Sequence, residues 1–195
     1  TQALTTETPV AAAMPAELLE AIENYEYRVS KGDVLYITVY DHPELTNPAG
    51  VQRTAQESGI VVESDGTIYY PYIGNVNVDG QTVEEVRQLI SEPLAEFIAS
   101  PQVSVRVMSF RGKRVYVTGE VAEPGPQAIT DVPLTVLDAI SHAGGLTDEA
   151  NWHEVLLSRN GEEIRLSVYE MLNNGRLGQN TLLQHGDVLH VPDTG

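Results

Sequence analysis

A chain of 195 residues, 42% of them apolar, can build one domain or two small ones, each with an ordinary core. Eleven Lys and Arg against 28 Asp and Glu give a formal charge of −17, which argues against nucleic acid and anionic lipid as partners because both would repel it. The lack of cysteine removes disulfides, thiolate nucleophiles and Cys-ligated metals, while nine Tyr and many aliphatic residues exclude a disordered acidic tail.

Thr1 to Ala13 reads as an extended arm rich in Thr, Ala and Pro. With neither a basic nor an apolar leader and no initiator Met, the beginning reads as that of a mature or trimmed product. No run approaches the ~18 apolar residues of a membrane span; Val10 to Met14 comes nearest. Leu18, Leu19, Ile22 and Tyr25 recur at helical spacing, which predicts a short helix over Pro15 to Asn24.

The body reads as strand, turn, strand, helix, strand, done twice. In the first unit Val34–Val39 is a strand following the Gly32-Asp33 turn. Ile60–Val62 and Thr67–Tyr70 flank Ser64-Asp65-Gly66 and predict a hairpin. Thr82 and Glu85 form a capping box ahead of the stripe Val83, Val86, Leu89, Ile90. Pro93 should kink or end that helix, with a second helical piece carrying Leu94, Phe97 and Ile98. Val103, Val105 and Val107 alternate with Ser104 and Arg106 as a strand buried on one face.

The second unit starts near Arg111. Val115–Val121 is a strand and Ala122–Gln127 a turn. A boxed helix begins at Thr135 with Asp138 and ends at Gly144-Gly145. Val155–Arg159 and Glu162–Leu166 around Asn160-Gly161 give the strongest hairpin signal. Ser167 and Glu170 cap a last short helix, and Gly186 to Val191 is a turn and a strand. Gly-Asp-Val-Leu thus occurs twice, at Gly32–Leu35 and Gly186–Leu189. A shared turn explains it, with glycine supplying a positive φ and aspartate bonding its own backbone. The fold class is α+β, a pair of β-grasp-like modules, each a small mixed sheet with one packed helix.

Chemistry is sparse. None of the five histidines (His42, His142, His153, His185, His190) has a ligand-pair spacing, so no metal site is expected. No nucleophile elbow, phosphate loop or dinucleotide fingerprint occurs. Glu84, Glu85, Asp138 and Glu170 sit where helix-start electrostatics accounts for them, so no catalytic residue is expected. Tyr69, Tyr70 and Tyr72 surround Pro71; core and subunit-interface packing is the favoured role for them over a glycan site.

The blocks Tyr27-Arg28-Val29-Ser30-Lys31-Gly32-Asp33-Val34-Leu35, Val39-Tyr40-Asp41-His42-Pro43-Glu44-Leu45-Thr46 and Asp65 to Gly74 resemble the Wza-type outer-membrane polysaccharide export proteins. Ser100-Pro101-Gln102-Val103 continues the match. Val117 to Val121, Pro133 to Ile140 and Ala143-Gly144-Gly145-Leu146 resemble that family's first SLBB module. The resemblance implies an arm and helix over 1–24, a polysaccharide-export domain over 25–110 and a β-grasp-like SLBB domain over 111–195. It further implies a lipoprotein of the outer membrane whose periplasmic part forms an octameric homo-oligomeric ring. Polysaccharide would pass through the ring, handed on by an inner-membrane polysaccharide co-polymerase; no cofactor, nucleic acid or enzymatic step is implied. The loop after Pro48-Ala49-Gly50 would approach the ring axis, marking Asn47, Gly50, Gln52 and Arg53 as axis-facing. Where relatives carry a Tyr before Arg53, this sequence has Gln52. The lipid-bearing Cys, second SLBB module and C-terminal spanning helix of the family are not in this sequence, which reads as a periplasmic fragment or a shorter relative. The alternative is a soluble glycan- or partner-binding SLBB module without its own pore.

Overall fold

The computed structural model describes residues 16–46, 59–175 and 177–195. The chain divides into two compact units, Glu26–Lys113 and one made of Arg114–Gly195 with the N-terminal helix.

In the first unit β1 (Val34–Val39) is the centre of a three-stranded antiparallel sheet, between β2 (Ile60–Val61) and β5 (Val103–Ser109). Period-two alternation decides its faces. Leu35, Ile37 and Val39 lie opposite Val107, Val105 and Val103 on the core side. Helix α2 (Val83–Leu94) places Val86, Ile90 and Leu94 in that same core at 0% exposure, each burial contributing roughly 2 kcal/mol. The capping box of α2 is formed as expected, Thr82 Oγ1 accepting from the Glu85 N–H at 3.1 Å and Glu85 from the Thr82 N–H at 2.9 Å.

Two expectations for this unit need correction. Residues 60–62 and 67–70 do not form the hairpin: Ile60–Val61 pairs with β1, and β3 (Thr67–Tyr70) pairs with β4 (Gly74–Asn77). Asp65 takes both the Thr67 N–H and hydroxyl in a local turn. The reversal comes later, at Pro71 and Tyr72, where a proline followed by a residue at φ +74° is the type II arrangement. The second helical piece is also absent. Pro93 is accommodated in the last turn of α2, which closes at Leu94, and residues 95–98 form separate turns. Phe97 is left exposed, while Ile98 packs on the core.

The second unit is a five-stranded mixed sheet in the order β7-β6-β10-β8-β9. Its strands are β6 (Arg114–Gly119), β7 (Gly125–Ala128), β8 (Val155–Arg159), β9 (Glu162–Leu166) and β10 (Val188–Val191). β10 runs parallel to β6 and antiparallel to β8. The Asn160-Gly161 hairpin has its expected register, Val155 opposite Leu166 through Arg159 opposite Glu162. Gln127, expected in a turn, lies in β7, an edge strand that tolerates Pro126. Helices α3 (Val136–His142) and α4 (Val168–Asn173) start at the expected caps, Thr135 and Ser167. The N-terminal helix α1 (Ala16–Glu23) buries Leu18, and just beyond it Tyr25 donates to the Thr130 carbonyl at 2.5 Å.

The two Gly-Asp-Val-Leu segments fold alike. Gly32 and Gly186 sit at φ +94° and +90°. Asp33 and Asp187 donate N–H to the carbonyl three residues back at 3.0 Å in both cases. Each carboxylate accepts that residue's N–H in return, at 3.0 Å from Ser30 and 2.7 Å from Gln184. Four residues before each glycine the chain bridges to a helix N-cap, Arg28 to Thr82 and Leu182 to Thr135.

Candidate functional site

The axis-facing residues expected from sequence, Asn47, Gly50, Gln52 and Arg53, lie outside the described residues. The tyrosine cluster does not stay together. Tyr70 is fully buried and donates to the Leu45 carbonyl at 3.0 Å; burial first, and the Glu44 charge second, push its pKa up to about 12. Tyr69 and Tyr72 point outward, 67% and 58% exposed. Tyr72 stacks on Phe97, with ring centroids 5.3 Å apart. Strand alternation explains the split between Tyr69 and Tyr70; nothing in the spacing of the sequence announced Phe97 as a partner.

The histidines occupy small polar arrangements. His42 Nδ1 is 3.0 Å from Glu44, His185 Nδ1 accepts the Arg114 N–H at 3.0 Å, and His190 is 2.8 Å from the Thr118 hydroxyl. His153 lies against Tyr169, which also meets Trp152 edge-on. Among the described residues, no group of three His, Asp or Glu could hold a metal ion, and no helix is long and apolar enough to cross a membrane.

A polar groove of about 550 Å³ opens at one end of the first sheet, lined by Thr38, Tyr40, Arg87, Gln102 and Ser104 among others. Arg87 is held there by a two-pronged contact with Glu84, whose carboxyl this hydrogen bond keeps below the usual range. In the second unit a cavity of about 280 Å³ is bordered by Gln127, Thr130, Val132, Asp138 and His142. Gln127 donates to the Ala139 carbonyl at 2.8 Å. These surfaces offer hydroxyls, amides and aromatic faces, the groups that hold a neutral or acidic hydrophilic chain without reacting with it.

Residues 21–108 match the polysaccharide biosynthesis/export protein family, and residues 113–191 match the SLBB domain family. The EPS I polysaccharide export outer membrane protein EpsA of Ralstonia nicotianae is 40% identical over 178 residues, 85% of this chain and 47% of the relative. The capsule polysaccharide export outer membrane protein CtrA of Neisseria meningitidis serogroup A is 28% identical over 166 residues, covering 81% and 42%. The capsule polysaccharide export protein BexD of Haemophilus influenzae is 27% identical over 183 residues, covering 87% and 44%. The chain spans about half the length, or somewhat less, of these relatives.

Proposed function

Because the chain belongs to the outer-membrane polysaccharide export family, joining an export domain to an SLBB domain, we propose that it forms the periplasmic wall of a conduit for capsular or extracellular polysaccharide. The observation that carries this reading is the 40% identity to a protein named for EPS I export, running through both domains. The relatives are named as export and transport proteins, and the role proposed is passive guidance rather than turnover. Several copies would close a homo-oligomeric ring at the periplasmic face of the outer membrane and take polymer from an inner-membrane co-polymerase.

A conduit must hold its cargo weakly, since a tight site stalls movement. The charge of −17 serves that need for an acidic polymer, repelling it over about one Debye length, ~8 Å at physiological salt. The test is a chimera in which residues 16–195 replace the matching segment of EpsA in a Ralstonia strain lacking its own copy. Polymer recovered outside the cell, with ring particles in electron micrographs of the purified chimera, supports the conduit. A chimera that reaches the outer membrane while polymer stays inside overturns it.

A further inference from the structure

The core side of the first sheet is apolar, and its opposite side forms a ladder of another kind. Tyr36, Thr38 and Tyr40 project from β1 and its end on the face away from Leu35, Ile37 and Val39. Tyr36 lies opposite Arg106 and Thr38 opposite Ser104, and Tyr40 donates its N–H to the Gln102 carbonyl at 2.9 Å. Three rungs therefore follow one another, Tyr–Arg, Thr–Ser and Tyr–Gln, about 7 Å apart along the strands. Ser104, Arg106, Gln102 and Tyr40 are exposed or nearly so, Tyr40 at 73%.

Arg106 is the unusual member. Its guanidinium carbon lies 4.8 Å from the centre of the Tyr36 ring, which holds the plane in place and leaves its N–H edge free to donate. In a chain with 28 acidic and only 11 basic residues, it has no carboxylate partner among the described residues. Arg28, Arg87, Arg159 and Arg165 all have one; Arg111 and Arg114 share the lack with Arg106, but among the described arginines only Arg106 is stacked on an aromatic ring. An unopposed guanidinium on one end rung, a hydroxyl pair on the middle rung and an exposed phenol ring with an amide on the other end rung, about 14 Å away, suit a segment of two or three sugar units that includes a uronate. One sugar ring would lie on Tyr40, hydroxyls along the segment would meet Gln102, Thr38 and Ser104, and the carboxylate of a unit further along would take the guanidinium edge two-pronged.

We propose that this face of the export domain is a weak binding strip for acidic saccharide, a local exception to the repulsion exerted by the rest of the chain. The ligand class rests on the export reading above; the acidic character rests on Arg106 alone. A long polymer would engage such a strip briefly and in one orientation, which guides the chain without trapping it.

The experiment is an NMR titration of the full chain with hexagalacturonate, against maltohexaose as the neutral control, paired with sedimentation of each variant. Expected are shifts of the amides of residues 36–40 and 102–106, with a Kd of about 1 mM and distinctly weaker binding of the neutral hexamer. Arg106→Gln should weaken the acidic hexamer about tenfold and Tyr40→Ala several-fold, while Arg165→Gln, an exposed arginine of the other domain, changes nothing. Absence of shifts on this face overturns the proposal, as does unchanged affinity in Arg106→Gln. A change in oligomeric mass in Arg106→Gln or Tyr40→Ala overturns it too, in favour of a contact between copies. None of these failures touches the conduit itself, which the chimera tests independently through polymer outside the cell.

Discussion

The same tetrapeptide opens the first domain and closes the second. Both copies of Gly-Asp-Val-Leu lead into a strand, and in both domains the strand that follows the capped helix runs antiparallel to that strand: β5 on β1, and β8 on β10. The shared part is thus a turn, a strand and a capped helix, with the turn-strand moved from the front of one domain to the back of the other. What differs is how each buried aspartate fills its remaining acceptor capacity. Asp33 takes the Arg111 and Gly112 N–H groups at 2.9 and 2.7 Å and the Tyr27 hydroxyl at 2.5 Å. Asp187 takes the Arg159 guanidinium through Nε and Nη2, at 3.0 and 2.7 Å. Four residues settle the turn; the rest of the protein settles whether its carboxylate is a stitch between backbone segments or half of an ion pair.

The largest effect should come from removing the stitch. Asp33→Ala deprives three main-chain donors and a phenol of their acceptor in a fully buried place, a loss of about 3–5 kcal/mol. The Gly112 N–H comes this close to the Asp33 turn because the residue lacks a side chain: a Cβ there would stand 2.5 Å from the Lys31 carbonyl. In the second domain Arg159→Met leaves Asp187 buried and unpaired and should cost about 2–3 kcal/mol. Lys113→Met, its nearest counterpart in the first domain, should fall within about 0.5 kcal/mol. Lys113 rests on the Tyr27 ring, and burial already pushes its pKa down despite the Asp33 charge. Urea unfolding with residue-resolved hydrogen exchange measures all three. A Lys113→Met loss as large as that of Arg159→Met would mean that the two aspartates are held alike after all.

The next difference appears at alkaline pH. Tyr70, in the first domain, is neutral and hydrogen-bonded in the fold, with its pKa raised from 10.0 to about 12. A group whose folded pKa is raised contributes stability that is complete below pH 10 and is lost as pH climbs through 12. The full loss corresponds to about 2–3 kcal/mol. Exchange protection in residues 59–109 should therefore fall over that window, and Tyr70→Phe should abolish this dependence while lowering stability at pH 7 by about 1 kcal/mol. An unaltered alkaline profile in Tyr70→Phe would remove Tyr70 as its source.

Much of this was legible in the sequence, and the failures have physical causes. Capping boxes at Thr82 and Thr135 and the Asn160-Gly161 hairpin are local, so a few residues suffice to specify them. Strand pairing in the first unit is not local. Ile60–Val61 had two possible partners, and in its pairing with β1 Ile60 stands opposite Leu35 and packs with Val62 on the core, a gain the nearby Asp65-Gly66 turn does not announce. Within the candidate strip, the alternation that marked Val103, Val105 and Val107 as buried also placed Gln102, Ser104 and Arg106 on the other face. Only the cross-strand register reveals that Tyr36, Thr38 and Tyr40 stand opposite them. The Tyr72–Phe97 stack joins residues 25 positions apart through the Pro71 reversal and the end of α2, which no short pattern encodes.

Two smaller substitutions sharpen the likeness of the turns themselves. Adding a Cβ at Gly186 meets nothing within 4 Å, and at Gly32 only ordinary contact at 3.7 Å. Backbone strain at positive φ is then the whole cost in both, and Gly32→Ala and Gly186→Ala should each lose about 1–2 kcal/mol. Unequal losses, read from urea midpoints, would show that the turns carry different strain despite matching angles.

The smallest effect isolates the cap from its setting. Thr82 and Thr135 make the same reciprocal bonds, but Thr135 is buried at 8% exposure whereas Thr82 is only half-buried. Alanine at either removes the hydroxyl that accepts the N–H three residues on, costing about 1 kcal/mol. Serine keeps that hydroxyl and discards only the methyl. Thr82→Ser should therefore be nearly silent, while Thr135→Ser should lose up to about 0.8 kcal/mol for a methyl taken from an enclosed place. If both serine variants are silent, the Thr135 methyl contributes nothing and the two helix starts are equivalent in energy as well as in bonding. A Thr82→Ser loss as large as that of Thr82→Ala would mean instead that the capping hydroxyl is not what α2 depends on.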